Sequence, residues 1–357
     1  MGQEAPNWPS DLNGERRDLQ GARLIPGLID GHTHMTGGGG EDGFHTRVPR
    51  VGLTQFTTAG VTTAVGLLGT DDVTRTTAEL LATARGLAAE GLSAYCYTGG
   101  YHLPPTTLTG SVREDIVHLD RVLGVGELAI SDHRSSQPTL DELLRVASDA
   151  HVAGLISGKA GICHLHLGDG ERGLELVRQA LDQSELPPSV FHPTHVNRKK
   201  ALFEEACELA ARGCTIDVTA FPIEEGEDAY SAEDAIERYL AADLPPQRIT
   251  VSSDGGGCLP YFDQGGRVAR MDVGSPAALA DCLATLIQRG QELERVLPAF
   301  TTNVAQTLRL SSKGSVRVGG DADLVVLGKD HKPQDVMLMG AWHVLGGEPI
   351  IQGTFEN

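Results

Sequence analysis

The stretch DGHTHMTGGGGEDGF, residues 30 to 44, carries the first residues in the chain suited to chemistry. His32 and His34 stand at i and i+2, so on a β-strand both imidazoles point to one face. Such a pair, followed by a glycine loop, suits a divalent metal such as zinc. A hydrogen-bonded histidine pair at a strand end would satisfy the same two residues, so the case rests on what recurs downstream. His166 closes GICHLHLG, His195 lies in FHPTHVNR, and Asp254 ends ITVSSD ahead of three glycines. Each stands at the end of its own apolar run. His164 shares a face with His166 one layer deeper and reads as a buried core histidine, whereas His192, preceding a proline, reads as a loop residue. A bound metal lowers the pKa of water toward about 7. The hydroxide so formed attacks a carbonyl, and a nearby carboxylate takes the proton and hands it to a leaving amine. Asp254 is suited both to touching a metal and to that proton transfer. Its plainer reading is an aspartate capping a turn before glycines.

The elements that must position these groups are short apolar, β-branched runs: ARLIPGLID, GVTTAVGLL, LSAYCYTG, GELAISD, GICHLHLGD, TIDVTAF and RITVSSD. Helical stretches lie between most of them. Thr139 and Glu142 form a capping box opening a helix to about Ala153. ALFEEACELAARG ends on Gly213, suited to a helix C-terminus. Strands alternating with helices predict a (β/α)8 barrel of the TIM type, in which the carboxyl ends of the strands share one mouth. The texture turns to hairpin-like β from Gly314. The expected organisation is an N-terminal remnant over 1–24, the barrel over 25–312, and residues 313–357 completing a small, reduced β-sandwich domain with that remnant.

Bulk properties exclude several classes. The chain has 357 residues and a formal net charge of −19, which argues against nucleic acid and anionic membrane surfaces as partners. No apolar run reaches the about 18 residues of a membrane span, and the polar start of the sequence predicts no signal peptide. The cysteines at 96, 163, 207, 214, 258 and 282 show no CxxC spacing, which predicts reduced thiols in a cytoplasmic enzyme.

The segments LIPGLIDGHTHMTGGGGEDG, AGVTTAVGLLGTD, TGGYHLPPTTLTGSV, AISDHRS, FHPTHVNR, TIDVT and VSSDGGG together resemble the isoaspartyl dipeptidase family of the amidohydrolase superfamily. The resemblance runs from about residue 22 to the C-terminus. It implies hydrolysis of the β-aspartyl bond of dipeptides by a metal-activated hydroxide, and a homo-oligomer. It also implies that His32, His34, His166, His195 and Asp254 hold two zinc ions, with Asp254 as general base. Gly39, Gly40 and Glu41 match the segment that holds the substrate's free α-amino group, the glycines admitting close approach and the carboxylate pairing with the ammonium. Thr70 matches a further substrate contact. Tyr101 matches the group supporting the developing oxyanion, and Arg134 and Arg198 match the clamp on the substrate carboxylate.

Three departures qualify the resemblance. The family bridges its metals with a carbamylated lysine, but the aligned residue here is Glu127, in RVLGVGELAISDHRS. Of the six lysines (159, 199, 200, 313, 329 and 332), only Lys159 lies between the HxH pair and His166, and it falls on the wrong side of the strand boundary. Glu127 supplies the same carboxylate but falls about 3–4 Å short. One extra residue between Arg121 and Ser131, flanked by Gly124 and Gly126, predicts a β-bulge that moves the backbone toward the metals. Glu127 is thus expected to bridge the ions; an inert glutamate with a single-metal or dead site is the alternative. Cys258 stands where a substrate-contacting serine is expected, a weaker hydrogen-bond partner. The segment before the first barrel strand is shorter than the family's. The rival functions are another amidohydrolase, such as an N-acyl-D-amino-acid deacylase, and a catalytically weak zinc-binding homologue.

Overall fold

The structure, a computed structural model, describes residues 16–224, 226–262 and 268–356. Strand β1 (Arg23–Pro26) leads directly into β2 (Leu28–Thr33), the first of a series of parallel strands. The series continues with β3 (Val61–Gly66), β4 (Ser93–Thr98), β5 (Val122–Ile130), β6 (Ile162–Leu167), β7 (Phe191–Thr194), β8 (Ile216–Thr219) and β9 (Ile249–Ser252). Strands β2 to β7 form one six-stranded parallel sheet, and β8 and β9 form a separate parallel pair. A parallel bridge from Thr33 to Gly255, with His34 N–H donating to Gly255 O at 2.8 Å, ties the first strand to the loop after the last. The seam between β7 and β8 is held instead by side chains, with Thr194 Oγ1 donating to Asp217 Oδ2 at 2.7 Å. The wall is that of a TIM-like barrel.

Helices alternate with these strands: α1 (Leu53–Thr58), α2 (Thr77–Ala89), α3 (Val112–His118), α4 (Leu140–Ser157), α5 (Glu175–Gln183), α6 (Lys200–Ala211), α7 (Ala232–Ala241) and α8 (Ala277–Gln288). Their apolar faces bury against strands that are themselves covered on both sides, which is why β5 is buried along its whole length. Thr139 opens α4 as the capping box requires: Glu142 N–H donates to Thr139 Oγ1, and Thr139 N–H donates to Glu142 Oε2 at 2.9 Å. The helix runs four residues past the predicted end, to a left-handed Gly158. Thr139→Ala removes the cap from an exposed position and is expected to cost about 1 kcal/mol in urea unfolding, with activity unchanged.

After β9 the chain forms a hairpin of β10 (Cys258–Phe262) and β11 (Val268–Val273) before α8. Strands β12 (Leu324–Leu327), β13 (Pro333–Leu338), β14 (Ala341–Leu345) and β15 (Glu348–Pro349) follow the barrel. They join β1 in one antiparallel sheet ordered β1-β12-β13-β14-β15. The expected β-sandwich is therefore a single sheet among the described residues, with one strand from the N-terminal side. Residues 1–15 of the expected N-terminal remnant lie outside the described residues. Strands β13 to β15 pack on α1, the barrel's first helix. No helix among the described residues is long and apolar enough to cross a membrane.

Candidate metal centre and active site

His32 and His34 end β2 on one face, and Asp254 follows β9 directly across the bridge from Thr33. His34 Nε2 lies 3.2 Å and His32 Nε2 3.4 Å from Asp254 Oδ1. Glu127 Oε1 lies 3.4 Å from His34 Nε2, while its Oε2 lies 3.5 Å from His195 Nε2 and 3.7 Å from His32 Nε2. Two overlapping trios result, His32–His34–Asp254 and His32–Glu127–His195, all buried. Four ligands about 2.0–2.2 Å from one ion stand about 3.3–3.6 Å apart, so these separations fit ligands around shared cations better than hydrogen bonds. His32 Nε2, Glu127 Oε1 and Asp254 Oδ1 are also buried with no hydrogen-bond partner. Orphaned acceptors of this kind, facing one another, are costly unless a cation joins them. The donor set of imidazoles and carboxylates fits divalent zinc.

The reach of Glu127 comes from a bulge. Val125 pairs with Cys163 but Leu128 with Leu165, so β5 spends one residue more than β6 over this interval. Side chains at the flanking glycines would collide with the neighbouring strand: an added Cβ at Gly126 would lie 2.7 Å from His164 Cβ, and one at Gly124 2.5 Å from Ile162 O. Each oxygen of Glu127 consequently faces one trio.

His166 stands beside the second trio without belonging to it. Its Nδ1 is 3.0 Å from Glu127 Oε2, and its Nε2 is 3.1 Å from Asp132 Oδ2. His195 occupies a left-handed turn after β7, and Thr219 Oγ1 holds its Nδ1 at 2.7 Å. Burial pushes the His195 imidazole down to about 3, so it is neutral and available as a ligand. His34 behaves oppositely: against burial, Asp254 and Glu127 push it up to about 10. Without a divalent ion these carboxylates hold a proton there, and metal uptake must displace it. Burial also opposes the charge of Asp254, but the neighbouring His32 and His34 keep its carboxyl well below the usual range.

Gly39, Glu41, Thr70, Tyr101, Arg134, Arg198 and Cys258, which the resemblance assigns to the substrate, line a cavity of about 870 Å³ that reaches both trios. Glu41 accepts from Thr70 Oγ1 at 3.0 Å and from Arg134 Nη1 at 2.9 Å. Gly39 and Gly40, with φ of 75° and 101°, bring this carboxylate round to the cavity. Tyr101, buried after β4, sets its hydroxyl 2.9 Å from His166 Nδ1 and its ring beneath Arg134. Burial and the charge of Glu127 raise its phenol well above the ordinary value, so it remains a proton donor. Arg198 lines the same cavity; its backbone N–H donates to His195 O at 3.1 Å, and its guanidinium makes no hydrogen bond or ion pair among the described residues. Cys258 is half-buried there; burial, then the charges of Glu41 and Asp254, push its thiol up to about 11.

Two residues escaped the reading of the sequence. Asp132 clamps Arg134, accepting from its Nη2 at 2.8 Å, its Nε at 3.1 Å and its backbone N–H at 2.7 Å. The signal was the aspartate two positions before the arginine in SDHRS, the spacing of a local side-chain turn. Buried Arg75 donates to the carbonyls of Thr36, Gly38 and Val48, which fastens the glycine loop from behind. Nothing in its own segment foretold that. His192 corrects an expectation: it lies within β7, buried, not in a loop. A proline is tolerated there because β7 pairs only with β6 and leaves its other edge to side-chain contacts.

The sequence and overall fold resemble those of known proteins. A solved β-aspartyl dipeptidase from Fervidobacterium islandicum AW-1, in complex with β-Asp-Leu dipeptide, is 44% identical with a TM-score of 0.86, over 91% of this chain and 86% of that one. The imidazolonepropionase of Anaeromyxobacter sp. (strain K) is 28% identical over 355 residues, 92% of this chain and 79% of that protein. The Pseudomonas aeruginosa (strain UCBPP-PA14) imidazolonepropionase is 40% identical, but the match covers only 27% of this chain and 24% of that protein. The sequence profile of the amidohydrolase family matches residues 23–343. With nearly the whole chain matched and the metal-ligand trios at the barrel mouth, the chain belongs to the amidohydrolase family.

Proposed function

We propose that this chain hydrolyses the β-aspartyl peptide bond of isoaspartyl dipeptides, using two zinc ions held by His32, His34, Glu127, His166, His195 and Asp254. The observation that carries the reading is the Glu41–Arg134 ion pair, 2.9 Å across, in the cavity that reaches the trios. An isoaspartyl residue carries a free ammonium and a free carboxylate on one carbon, with the scissile carbonyl on its side chain. A carboxylate and a guanidinium already side by side match that zwitterion charge for charge. An α-linked dipeptide has no second charge on that carbon, and an N-acylated substrate has no ammonium. The β-Asp-Leu bound by the Fervidobacterium relative supports the same substrate class.

When bound, the metal pair acidifies water and polarises the scissile carbonyl. Glu41, with Thr70 orienting it, receives the ammonium, and Gly39 and Gly40 let the backbone approach. Arg134, braced by Asp132, and Arg198 take the α-carboxylate. Tyr101 donates its hydroxyl proton as a hydrogen bond to the carbonyl oxygen while charge develops there. Asp254, ionised between two histidines, accepts the proton of the attacking water and delivers it to the departing amine. Cys258 stays a neutral thiol against this pocket.

Tyr101→Phe is expected to lower kcat by about 10²–10³-fold with KM little changed, because the hydroxyl acts on the oxyanion. The function is tested by offering the zinc-loaded protein β-Asp-Leu, α-Asp-Leu and N-acetyl-β-Asp-Leu, with release of leucine reporting peptide cleavage and release of acetate reporting deacylation. Cleavage of β-Asp-Leu alone is expected; preference for the acetylated substrate would overturn the reading in favour of a deacylase. The small terminal sheet as a unit apart from a barrel over 25–312, a cytoplasmic site and a homo-oligomer complete the proposal. The six free cysteines support a reducing compartment.

A further inference from the structure

We propose that His164 is a positioning residue of the metal centre, the first link of a buried relay through His192 and Thr250 to Asp217 that fixes the tautomer of His32. The proposal rests on the reading of His32 as a metal ligand. His32 Nδ1 lies 2.8 Å from His164 Nε2, and His164 Nδ1 lies 2.9 Å from His192 Nδ1. His192 Nε2 then lies 3.2 Å from Thr250 Oγ1, and Thr250 Oγ1 donates to Asp217 Oδ1 at 2.6 Å. All five side chains are buried.

The far end of the chain sets its direction. The Asp217 carboxylate and the Ile216 carbonyl, 2.6 and 3.3 Å from Thr250 Oγ1, can only accept, so the single hydroxyl proton of Thr250 points to them and not to His192. Thr250 must therefore accept from His192 Nε2–H, which leaves His192 Nδ1 bare. His192 Nδ1 in turn accepts from His164 Nδ1–H, which leaves His164 Nε2 bare to accept from His32 Nδ1–H. A neutral His32 so protonated has a bare Nε2, and that is the nitrogen facing Asp254 and Glu127. Run backwards, the same chain would protonate His32 Nε2 and block it as a ligand.

The relay is also complete, which explains how it survives inside a barrel. The barrel interior is ordinarily filled by layers of branched apolar side chains, and a polar line there is tolerated only when every donor meets an acceptor. Here each nitrogen has one partner except His32 Nε2, which is left bare toward the metal centre. Asp217 additionally accepts from Thr194 and Ser252, so its charge is held by three hydroxyls. The buried anion lies on the same chain that ends at the cation-binding face of His32. Tyr97, stacked 5.1 Å from His164, keeps that ring in plane.

The test is Zn²⁺ affinity of the metal-stripped protein, measured by competition with a chromogenic chelator, beside thermal unfolding of the same samples. His164→Leu removes the acceptor for His32 and is expected to weaken Zn²⁺ binding by about 10- to 100-fold, and His164→Gln, which restores an acceptor, to recover most of it. Thr250→Val keeps the volume and breaks the far link, and about a tenfold loss is expected. ¹⁵N spectra should show His164 neutral with its proton on Nδ1 and His192 with its proton on Nε2. If His164→Leu does not fold, Thr250→Val and the tautomers decide. Folded His164→Leu and Thr250→Val proteins with wild-type affinity, or the opposite tautomers, overturn the relay, provided that His34→Ala loses zinc. A wild-type protein that holds zinc no better than His34→Ala overturns the metal reading, and the relay with it.

Discussion

Glu127→Gln is expected to leave the protein folded with fewer than two zinc ions per chain and kcat/KM lowered by at least about a thousandfold. The magnitude follows from what each oxygen faces. Oε1 lies 3.4 Å from His34 Nε2 and Oε2 3.5 Å from His195 Nε2, so one carboxylate serves both trios. An amide keeps the volume but turns one acceptor into a donor aimed at bare imidazole nitrogens. It would also leave any cations held by the two trios without the carboxylate that faces both, and removing one member of a buried charged group costs several kcal/mol, equivalent to factors of about 10² to 10⁴. Elemental analysis and steady-state rates on one preparation check the result. Full metal content with an undiminished rate would show Glu127 to be inert. Glu127→Lys is expected to be inactive, because β5 carries one residue more than β6 here and a carbamylated lysine, six bonds from Cα to its carboxylate carbon, overshoots a position that a three-bond glutamate already fills.

Asp254→Asn removes the proton acceptor and weakens a metal ligand together, so its rate is read with zinc in excess and its metal content is measured beside it. A kcat lower by about 10²–10⁴-fold is expected, the range for a lost general acid–base group, with KM for β-Asp-Leu changed much less. The pH dependence assigns the acid limb to other residues. A carboxyl held well below its usual range stays ionised as pH falls, so Asp254 does not cause loss of activity in mildly acidic buffer. A histidine raised to about 10 in the absence of metal is protonated throughout the range below that pH, and the competition of that proton with zinc grows as pH falls. Metal affinity therefore rises with pH, and excess zinc is expected to push the acid limb of the wild-type profile to lower pH. An acid limb indifferent to zinc concentration would contradict this assignment.

The reading from the sequence succeeded where the physics is local. The i, i+2 spacing of His32 and His34 sets their common face whatever strand lies beside them. The Thr139–Glu142 box opens a helix through contacts three residues apart. The extra residue before Glu127 was countable in the chain, and the glycines beside it marked where the backbone could bulge. The family resemblance supplied the assignments for Glu41, Thr70, Tyr101, Arg134 and Arg198, none of which composition or periodicity points to.

His192 shows where local reasoning stops. The proline after it argued for a loop, yet the neighbouring strands made it the middle of a buried relay, because β7 leaves its far edge unpaired. Asp132 and Arg75 were equally silent: their partners are a clamp two residues on and three carbonyls 27 to 39 residues back. Asp254 is steadied by a pairing of Ser253 with Asp30 across 223 residues. The amino-acid order thus determined which groups could bind a metal and the face each presents, since backbone periodicity is set over a few residues. Only the closed arrangement of the strands decided which nitrogen met which oxygen, because ångström distances between remote strand ends depend on register, bulges and the packing between them.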